Sequence, residues 1–360
     1  MKILFLGLRF PYPPHRGDKI RTYNFLKSLS QRHSISFISF VHSDREARGI
    51  DQLREYCDQV RTVEFSSLKA YRNCLLFFSF GEPFQVTYWH SQEMQRQVDE
   101  MMSSDEFEII HAQFFRMAQY VTKYTDHCKV LDSCDSYSLN LSRRARLDRG
   151  VLWPLLKVEA NRVRIYETEI ARWFDRVTLV SPQDRDHLLS VNGSVPASVV
   201  PMGVDLEYFQ PDHKEDGPNL LFTGIMSYFP NRDAVTYFYH EIFPLIKNDI
   251  PNAKFYIVGN SPTKKVIKLM SDNDVVVTGR VEDVRPYFDS SAVFVCPLRS
   301  GSGMQTKLLE AMAMEVPVVT TSLGFEALEA TAGRDMIVAN DAKGFAQEVI
   351  RLLKDKELRQ

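Results

Sequence analysis

Lys307 and Glu310 stand three residues apart in the segment RSGSGMQTKLLEAMA, directly after a run of small residues. With Ser302 as the N-cap, this pattern predicts a helix from about Gly303. The free N–H groups at the start of this helix could bind a phosphate, and Gly301, which has no side chain, would allow the phosphate to approach. The lysine would then lie near a diphosphate, and the carboxylate one turn further could accept hydrogen bonds from two vicinal ribose hydroxyls. The spacing fits equally an i,i+3 ion pair on the surface of a helix.

The loop RFPYPPHRGDKIR follows the first apolar run and could bind a second anion. Gly17 would allow close approach of the backbone, and Lys19 and Arg21 would add positive charge near the start of a helix predicted from about Lys19. The loop lacks the glycine spacing of a dinucleotide or Walker A motif. A proline-rich turn with solvated charges explains the same residues.

Polar residues also follow two later apolar runs. His111 in EIIHAQFFR is predicted at the end of a strand, as a catalyst or as a histidine of the core. Asp132 and Asp135 in VLDSCDSYS could bind a metal or polarise a hydroxyl, whereas Asp135 with Ser136 would also make a good helix N-cap.

Short apolar runs alternate with amphipathic stretches along the whole chain. They predict strands at residues 2–8, 35–41, 60–65, 108–113, 129–132 and 176–181, and then at 220–224, 254–259, 275–279, 292–297, 316–321 and 336–339. The runs are apolar at nearly every position, as in parallel strands that are covered on both faces. The acidic stretch 205–218, which contains Pro and Gly, indicates a linker. We therefore predict an α/β protein of two Rossmann-like, doubly wound domains, 1–204 and 219–360, that face a central cleft.

Composition narrows the classes of protein. The 44 Lys and Arg against 46 Asp and Glu give a net charge of −2, which does not indicate a nucleic-acid partner. Five cysteines without a C-x-x-C pair predict neither a disulfide framework nor a zinc site, and they fit a reducing, cytoplasmic compartment. The longest apolar run, CLLFFSF, is well short of the ~20 residues of a membrane span.

Contact with a membrane would therefore be peripheral, at its cytoplasmic face. Residues 143–176 are rich in Arg and aromatic residues, and AYRNCLLFFSFGEPF adds an apolar stretch. A long, solvated helix with salt bridges explains 143–176 most simply. A basic and aromatic surface for anionic lipid is the alternative.

Several segments resemble a known family. VVPMGVDLEYFQP resembles the interdomain segment of the retaining GT-B glycosyltransferases of family four, and SGMQTKLLEAMAMEVPVVTT resembles their nucleotide-binding helix and the strand after it. The likeness runs from residue 1 to about residue 358. PYPPHRGDKIR, FTGIMSYFPNRDAV and TGRVEDVRPYF are most similar to the sugar transferases of exosortase-linked exopolysaccharide clusters.

The resemblance implies a UDP- or GDP-sugar donor in the C-terminal domain and a glycan or lipid-linked glycan acceptor in the N-terminal domain. It implies that Glu310 binds the ribose, that the backbone of Thr306 and Lys307 binds the diphosphate, and that Arg280 lies near the base. The donor-binding residues implied in this way are Gly17, Arg280, Gly301, Ser302, Gly303, Met304, Thr306, Lys307 and Glu310.

The chain departs from the family pattern in its C-terminal half. Ser302 stands where the E-x7-E motif has its first Glu, so the carboxylate expected on the donor sugar is absent. The usual Arg and Lys after strand 220–224 are also replaced. Neutralisation of the diphosphate is then left to Arg299, Lys307 or Arg232.

Two further departures lie elsewhere. Gln113 replaces a His of the H-x-H pattern, which leaves only His111. The sequence ends at KDKELRQ, where family members continue into a helix that crosses back to the first domain, so we expect that helix to be missing.

The sequence thus predicts a retaining, metal-independent glycosyltransferase that needs no cofactor, with His111, Arg299 and Lys307 as catalytic residues. A D-x-D metal site is disfavoured because Asp184 and Asp186 are predicted on a helix. The alternatives are a nucleotide-sugar epimerase on the same fold and a donor-binding partner protein with little activity.

Overall fold

The computed structural model describes residues 1–43, 46, 49–76, 81–148, 150–191, 193–212 and 217–359. The chain divides into two units, Met1–Pro201 and Met202–Gln360. The stretch 205–218 lies in the second unit, and its residues 213–216 are outside the described part. The apolar run at 74–80 likewise continues beyond the described residues at 77–80.

The first unit contains a parallel sheet of seven described strands in the order β3-β2-β1-β4-β5-β6-β7. The strands are β1 (Lys2–Gly7), β2 (Ser34–Val41), β3 (Gln59–Glu64), β4 (Ile109–Gln113), β5 (Cys128–Cys134), β6 (Arg176–Leu179) and β7 (Ala197–Val199). All strands predicted for this half are present. Strand β7 was not predicted, because three residues form too short an apolar run.

The described helices of the first unit are α1 (Gly17–Leu29), α2 (Ile50–Leu53), α3 (Ser67–Leu76), α4 (Phe84–Tyr88), α5 (Gln92–Ser104), α6 (Phe114–Ala118), α7 (Tyr137–Leu147), α8 (Trp153–Ala171) and α9 (Pro182–Val191). The predicted single helix across 143–176 is wrong: α7 ends before Asp148 and α8 begins at Trp153. Pro154 lies in the first turn of α8, where its missing N–H costs nothing, so the sequence favours a new helix start there.

The second unit contains a parallel sheet of six described strands in the order β10-β9-β8-β11-β12-β13. The strands are β8 (Asn219–Thr223), β9 (Lys254–Val258), β10 (Val275–Gly279), β11 (Val293–Cys296), β12 (Val318–Thr320) and β13 (Ile337–Val338). The described helices are α10 (Phe229–Tyr237), α11 (Phe243–Asp249), α12 (Lys264–Ile267), α13 (Arg285–Asp289), α14 (Thr306–Ala313), α15 (Ser322–Phe325), α16 (Ala342–Lys354) and α17 (Lys356–Arg359), with a π-helical turn Phe238–Ile242 and a 3₁₀ turn Lys268–Ser271.

Both sheets are buried on their two faces. Consecutive residues of the central strands, 4–6 in β1 and 220–222 in β8, are fully buried, although neighbouring side chains of a strand point to opposite faces. This confirms the prediction of two Rossmann-like, parallel α/β sheets.

Strand order reverses once in each sheet. In the first unit, β1 to β3 follow one another toward one edge of the sheet, whereas β4 to β7 follow one another toward the other edge. The same reversal lies between β8 and β11 in the second unit. Loops that leave such neighbouring strands diverge to opposite faces, so a crevice opens at the carboxyl ends of the two strands. These two switch points are where each unit is expected to bind a ligand.

Candidate functional site

The second switch point lies between the loops that follow β8 and β11. The loop after β11 ends at Gln305, which is the N-cap of α14. The predicted helix start at Gly303 with Ser302 as N-cap is therefore wrong. Gly301 has a φ of 129° and Gly303 a φ of 71°, and these left-handed conformations cannot belong to a right-handed helix.

Lys307, in the first turn of α14, is buried. Its Nζ donates a hydrogen bond to Oδ1 of Asn231 in α10, and it lies 4.5 Å from the ring centroid of Phe222 in β8. Burial lowers the pKa of this ammonium group. Both Lys307 and Glu310 are described, and no ion pair joins them, so the interpretation as a surface ion pair is wrong.

Two glycines make room for the Lys307–Asn231 contact. A Cβ on Gly224 would lie 2.6 Å from Nδ2 of Asn231 and 3.3 Å from Nζ of Lys307, and a Cβ on Gly259 would lie 1.9 Å from the carbonyl oxygen of Gly224. Nδ2 of Asn231 donates to the carbonyl of Ile225 at 3.0 Å, which turns its oxygen toward the lysine. Asn231 was not predicted as a site residue from the sequence, although it lies in FTGIMSYFPNRDAV, a segment that resembles the family.

Glu310 lies one turn after Lys307 and is half-buried. Burial raises the pKa of its carboxyl group to about 7, against a smaller lowering by the charge of Lys307. Its side chain makes no hydrogen bond or ion pair with any described residue. A half-buried carboxylate with open acceptor positions and a shifted pKa is typical of a ligand site.

The arginines of this unit differ in their partners. Nε and Nη2 of Arg299 bind the carboxylate of Asp233 at 3.0 and 2.7 Å, and its Cζ lies 4.2 Å from the ring centroid of Tyr237. The charge of Arg299 is therefore already matched. Arg232 is half-buried, with its Cζ 5.6 Å from the ring of Phe229, and it has no carboxylate partner among the described residues.

The other predicted donor residues have simpler surroundings. Ser302 is buried, and its carbonyl accepts from Nε2 of Gln305 at 3.4 Å. Met304 and Thr306 are half-buried, and Arg280 is exposed directly after β10. The structure thus places Lys307 and Glu310 in the first five residues of α14, directly after the loop 301–305, while Arg280 follows β10, an edge strand of the sheet.

His111, in the first unit, is not at a strand end as predicted. It is the middle residue of β4, stacked 4.2 Å from the ring of Phe5 and edge-on to Phe25 at 5.8 Å. Burial lowers its pKa to about 4, so the ring is neutral at pH 7. Its buried Nε2 has no hydrogen-bond partner among the described residues. This packing fits the core interpretation better than the catalytic one.

Lys19 and Arg21 are not the free charges that the sequence suggested. Lys19 is buried and its Nζ lies 2.7 Å from Oε1 of Glu46. Arg21 binds both oxygens of the fully buried Asp132 at 2.8 Å. Gly17 is the first residue of α1, and a Cβ there would meet nothing within 4 Å, so the space beside it is open.

The proposed metal ligands have structural partners instead. Ser136 caps α7 by accepting from the N–H of Leu139, which confirms the capping alternative for this segment. Asp184 lies on α9, as expected, and accepts from the N–H of Ser136 at 2.9 Å. In the described part of the chain, no group of three His, Cys, Asp or Glu side chains is placed to hold a metal ion.

No described helix combines the length and the apolar character that crossing a membrane requires.

The chain is similar to a known protein family and to several individual proteins. Residues 217–355 match the family model described as glycosyl transferases group 1. An uncharacterized 44.6 kDa protein in the cps region of Klebsiella pneumoniae is 21% identical over 98% of this chain and 91% of its own. UDP-Gal:alpha-D-GlcNAc-diphosphoundecaprenol alpha-1,3-galactosyltransferase of Escherichia coli is 28% identical, over 45% of this chain and 46% of its own.

Solved structures share the fold. Sucrose-phosphate synthase of Thermosynechococcus elongatus superposes with a TM-score of 0.72 at 15% identity, over 99% of this chain and 90% of the other. TarM gives 0.73 at 10% identity over 99% and 93%, and Anabaena Alr3699/HepE in complex with UDP and glucose gives 0.66 at 12% over 99% and 91%. These neighbours show a GT-B fold. The family model and the named relatives support a glycosyltransferase similar to family four, and they favour it over the epimerase and partner-protein alternatives.

Proposed function

We propose that this protein transfers a sugar, with retention, from a UDP- or GDP-sugar to a glycan or lipid-linked glycan in the synthesis of an exopolysaccharide or surface polysaccharide. The observation that carries the proposal is the buried Lys307 held by Asn231 beside the open carboxylate of Glu310. The names of the relatives support it, since they include a capsular polysaccharide glycosyltransferase of Staphylococcus aureus and an enzyme that uses UDP-Gal. The resemblance of several sequence segments to the exosortase-linked sugar transferases also supports this pathway.

In the proposed donor site, each group has one task. Glu310 accepts hydrogen bonds from the ribose hydroxyls, and the backbone of 301–306 borders the diphosphate and the sugar. Lys307 faces the charge that grows on the diphosphate as the bond to the sugar breaks, with Arg232 as a second available cation. Because the ammonium is already oriented by Asn231 and desolvated, it stabilises that charge without reorganisation.

The proposed reaction requires no side-chain nucleophile. The bond between the anomeric carbon and the diphosphate oxygen breaks, and the acceptor hydroxyl forms its bond to the same carbon from the same face. An oxygen of the leaving diphosphate takes the hydroxyl proton, so the chain contributes mainly positioning and charge stabilisation. Proton NMR of the product should show the same anomeric configuration as the donor sugar. A product with the opposite anomeric configuration would rule out this mechanism.

Turnover should not depend on a divalent metal. Lys307 and the glycine-bordered loop before α14 can stabilise the diphosphate in the way a metal does in other transferases. Nucleotide release should therefore continue at its full rate in EDTA. A rate that falls to zero in EDTA and returns on addition of manganese would contradict this prediction.

A lipid-linked acceptor would bring the protein to a membrane, and the turn at residues 150–152, directly before α8, suits that contact. Val151 and Leu152 are 98% and 71% exposed. Beside them, a groove between the two helices is lined by Arg146, Lys157 and Arg164. Exposed apolar side chains next to cations are typical of surfaces that bind anionic lipid.

Vesicle sedimentation tests this surface. The protein should sediment with vesicles that contain phosphatidylglycerol and much less with phosphatidylcholine alone, and Leu152→Asp should reduce the bound fraction severalfold. Leu245→Asp, at an exposed leucine of the second unit, is the matched control and should bind as the wild type does. Equal binding by both variants would exclude the turn as the membrane contact.

A further inference from the structure

Three arginines meet at the switch point of the first unit. Arg9 and Arg16 lie in the loop between β1 and α1, and Arg116 lies in α6, directly after β4. Nε2 of Gln113, the last residue of β4, donates to the carbonyl of Asp18 at 3.3 Å, which ties the end of β4 to the start of α1. The arginines are therefore at the carboxyl ends of the two strands between which a ligand is expected.

One carboxylate serves two of these arginines. Nη1 of Arg9 lies 2.6 Å from one oxygen of Asp18, and Nε of Arg16 lies 3.0 Å from the other. The neighbouring Lys19 and Glu46 neutralise each other and contribute no surplus. Asp18 can balance only one of the two guanidinium charges.

Arg116 has no carboxylate partner among the described residues, although it is only 7% exposed. Its Nε donates to Oε1 of Gln85 at 3.1 Å, and its Cζ lies 4.4 Å from the ring of Tyr137 and 4.8 Å from that of Phe115. An amide oxygen and two rings compensate little of the several kcal/mol that burial of an ion costs. A buried cation in this state gains stability from an anion that arrives with a ligand.

A second acid, Glu159, interacts with Arg116 but forms no ion pair with it. Glu159 is close enough for the charge of Arg116 to lower its pKa slightly, but burial is the larger effect and leaves that pKa raised. Its two oxygens accept the N–H groups of Phe84 and Gln85 at 3.0 and 3.1 Å. Glu159 therefore serves the start of α4.

Arg16 and Arg116 both act on Arg9. Burial lowers the pKa of Arg9, the charge of Asp18 raises it in part, and the charges of Arg16 and Arg116 lower it, so both lie within electrostatic reach of Arg9. At the same junction, Phe114 has a φ of 63°, a strained conformation that is concentrated at functional sites. Among the described residues, Asp18 is the one carboxylate that pairs directly with any of the three guanidinium groups, so positive charge is in excess at this junction.

We propose that this arginine cluster, formed by Arg9, Arg16 and Arg116, binds the phosphate groups of the acceptor, so that the acceptor is a phosphate-linked glycan. The inference rests on the proposed function, which assigns the donor's diphosphate to Lys307 in the other unit. A diphosphate supplies negative charge that the cluster's ion pairs leave unbalanced. Guanidinium groups bind phosphate oxygens through paired hydrogen bonds, and the open space beside Gly17 leaves room for them.

Calorimetric titration of the full chain tests the cluster with two probes, inorganic pyrophosphate and geranyl diphosphate. The titrations are made with UDP and GDP both present at saturation, so that the donor site is filled. Both probes should bind, and Arg116→Gln should weaken that binding at least tenfold. Probe binding should be unchanged in Lys307→Ala. It should also be unchanged in Arg96→Gln, which replaces a surface arginine that pairs with Glu93 on α5.

Each contrary result has a definite meaning. Probe binding that is absent in the presence of the nucleotides, or equal in Arg116→Gln and the wild type, overturns the proposal. So does binding of pyrophosphate but not of geranyl diphosphate, because the site would then hold only free phosphate. A loss of UDP or GDP affinity in Arg116→Gln, with no effect on the probes, would assign the cluster to the donor.

Two further measurements keep the test decisive. If Arg116→Gln does not fold, as judged by its melting temperature, Arg16→Gln replaces it. The side chain of Arg16 is 37% exposed, and Asp18 is its one ion-pair partner among the described residues. Failure of the proposed function would appear separately, as an absence of UDP and GDP binding. The pyrophosphate titration without nucleotide would still report on Arg116.

Discussion

Replacement of Lys307 by alanine is expected to lower kcat about 100-fold, with a smaller change in KM. The charge on the diphosphate is greater in the transition state than in the bound substrate, and an interaction that strengthens on the way to the transition state acts on kcat. Lys307 is buried and held by Asn231, so its ammonium is fixed before the reaction begins. The expected loss corresponds to about 2.7 kcal/mol of transition-state stabilisation.

Steady-state kinetics measure this loss, with melting temperature as the control for folding. Lys265→Ala removes an exposed lysine of the same unit and should leave both kcat and KM unchanged. Lys307→Arg retains the charge but cannot occupy the same buried space, so it should recover only part of the rate. A folded Lys307→Ala enzyme with the kcat of the wild type would remove Lys307 from the site.

The second large effect is expected on nucleotide binding. Glu310→Gln should weaken binding of the nucleoside diphosphate by about 1.5–3 kcal/mol, roughly 10- to 150-fold, because hydrogen bonds to a charged acceptor are stronger than those to an amide. A double-mutant cycle with a 2′,3′-dideoxynucleoside diphosphate isolates the ribose contact. Removal of the hydroxyls should weaken binding to the wild type much more than binding to Glu310→Gln.

The dependence on pH supplies an independent test of Glu310. Burial raises its pKa to about 7, and hydroxyl donors favour the ionised form. Nucleotide affinity should therefore rise as the pH increases through about 7, and this component should be missing in Glu310→Gln. A cycle with no coupling and the same pH profile in both proteins would exclude contact between Glu310 and the ribose.

The raised pKa also has a consequence for stability. A carboxyl whose pKa is higher in the folded than in the unfolded state contributes stability that is complete below its unfolded value and is lost as the pH rises through about 7. Nucleotide binding should offset this loss, since it supplies partners to the ionised group.

The strands could be predicted because parallel strands covered on both faces need apolar residues at nearly every position, as β1 and β8 show. The start of α14 could not be predicted from the sequence. Ser302 is a good N-cap by type, but the left-handed conformations of Gly301 and Gly303 delay the helix to Thr306. A sequence does not reveal which conformation a glycine adopts.

The candidate site was predictable where neighbouring residues on one helix carry it. The spacing of Lys307 and Glu310 and the glycines before them were visible in the sequence. The contact between Lys307 and Asn231 could not be predicted, because these residues lie 76 positions apart in the chain, on different helices. For the same reason, the sequence could not show that Arg21 is bound by Asp132, or that Arg299 is bound by Asp233.

The β8–β11 switch point is expected to bind a nucleoside diphosphate sugar. Calorimetric titration of the wild-type protein with UDP-, GDP- and ADP-sugars, together with their nucleoside diphosphates, measures this binding directly. We predict one saturable site for a UDP or GDP compound, with binding weakened in Glu310→Gln. A folded protein that binds none of these nucleotides, or binds them equally well after that substitution, would contradict the account.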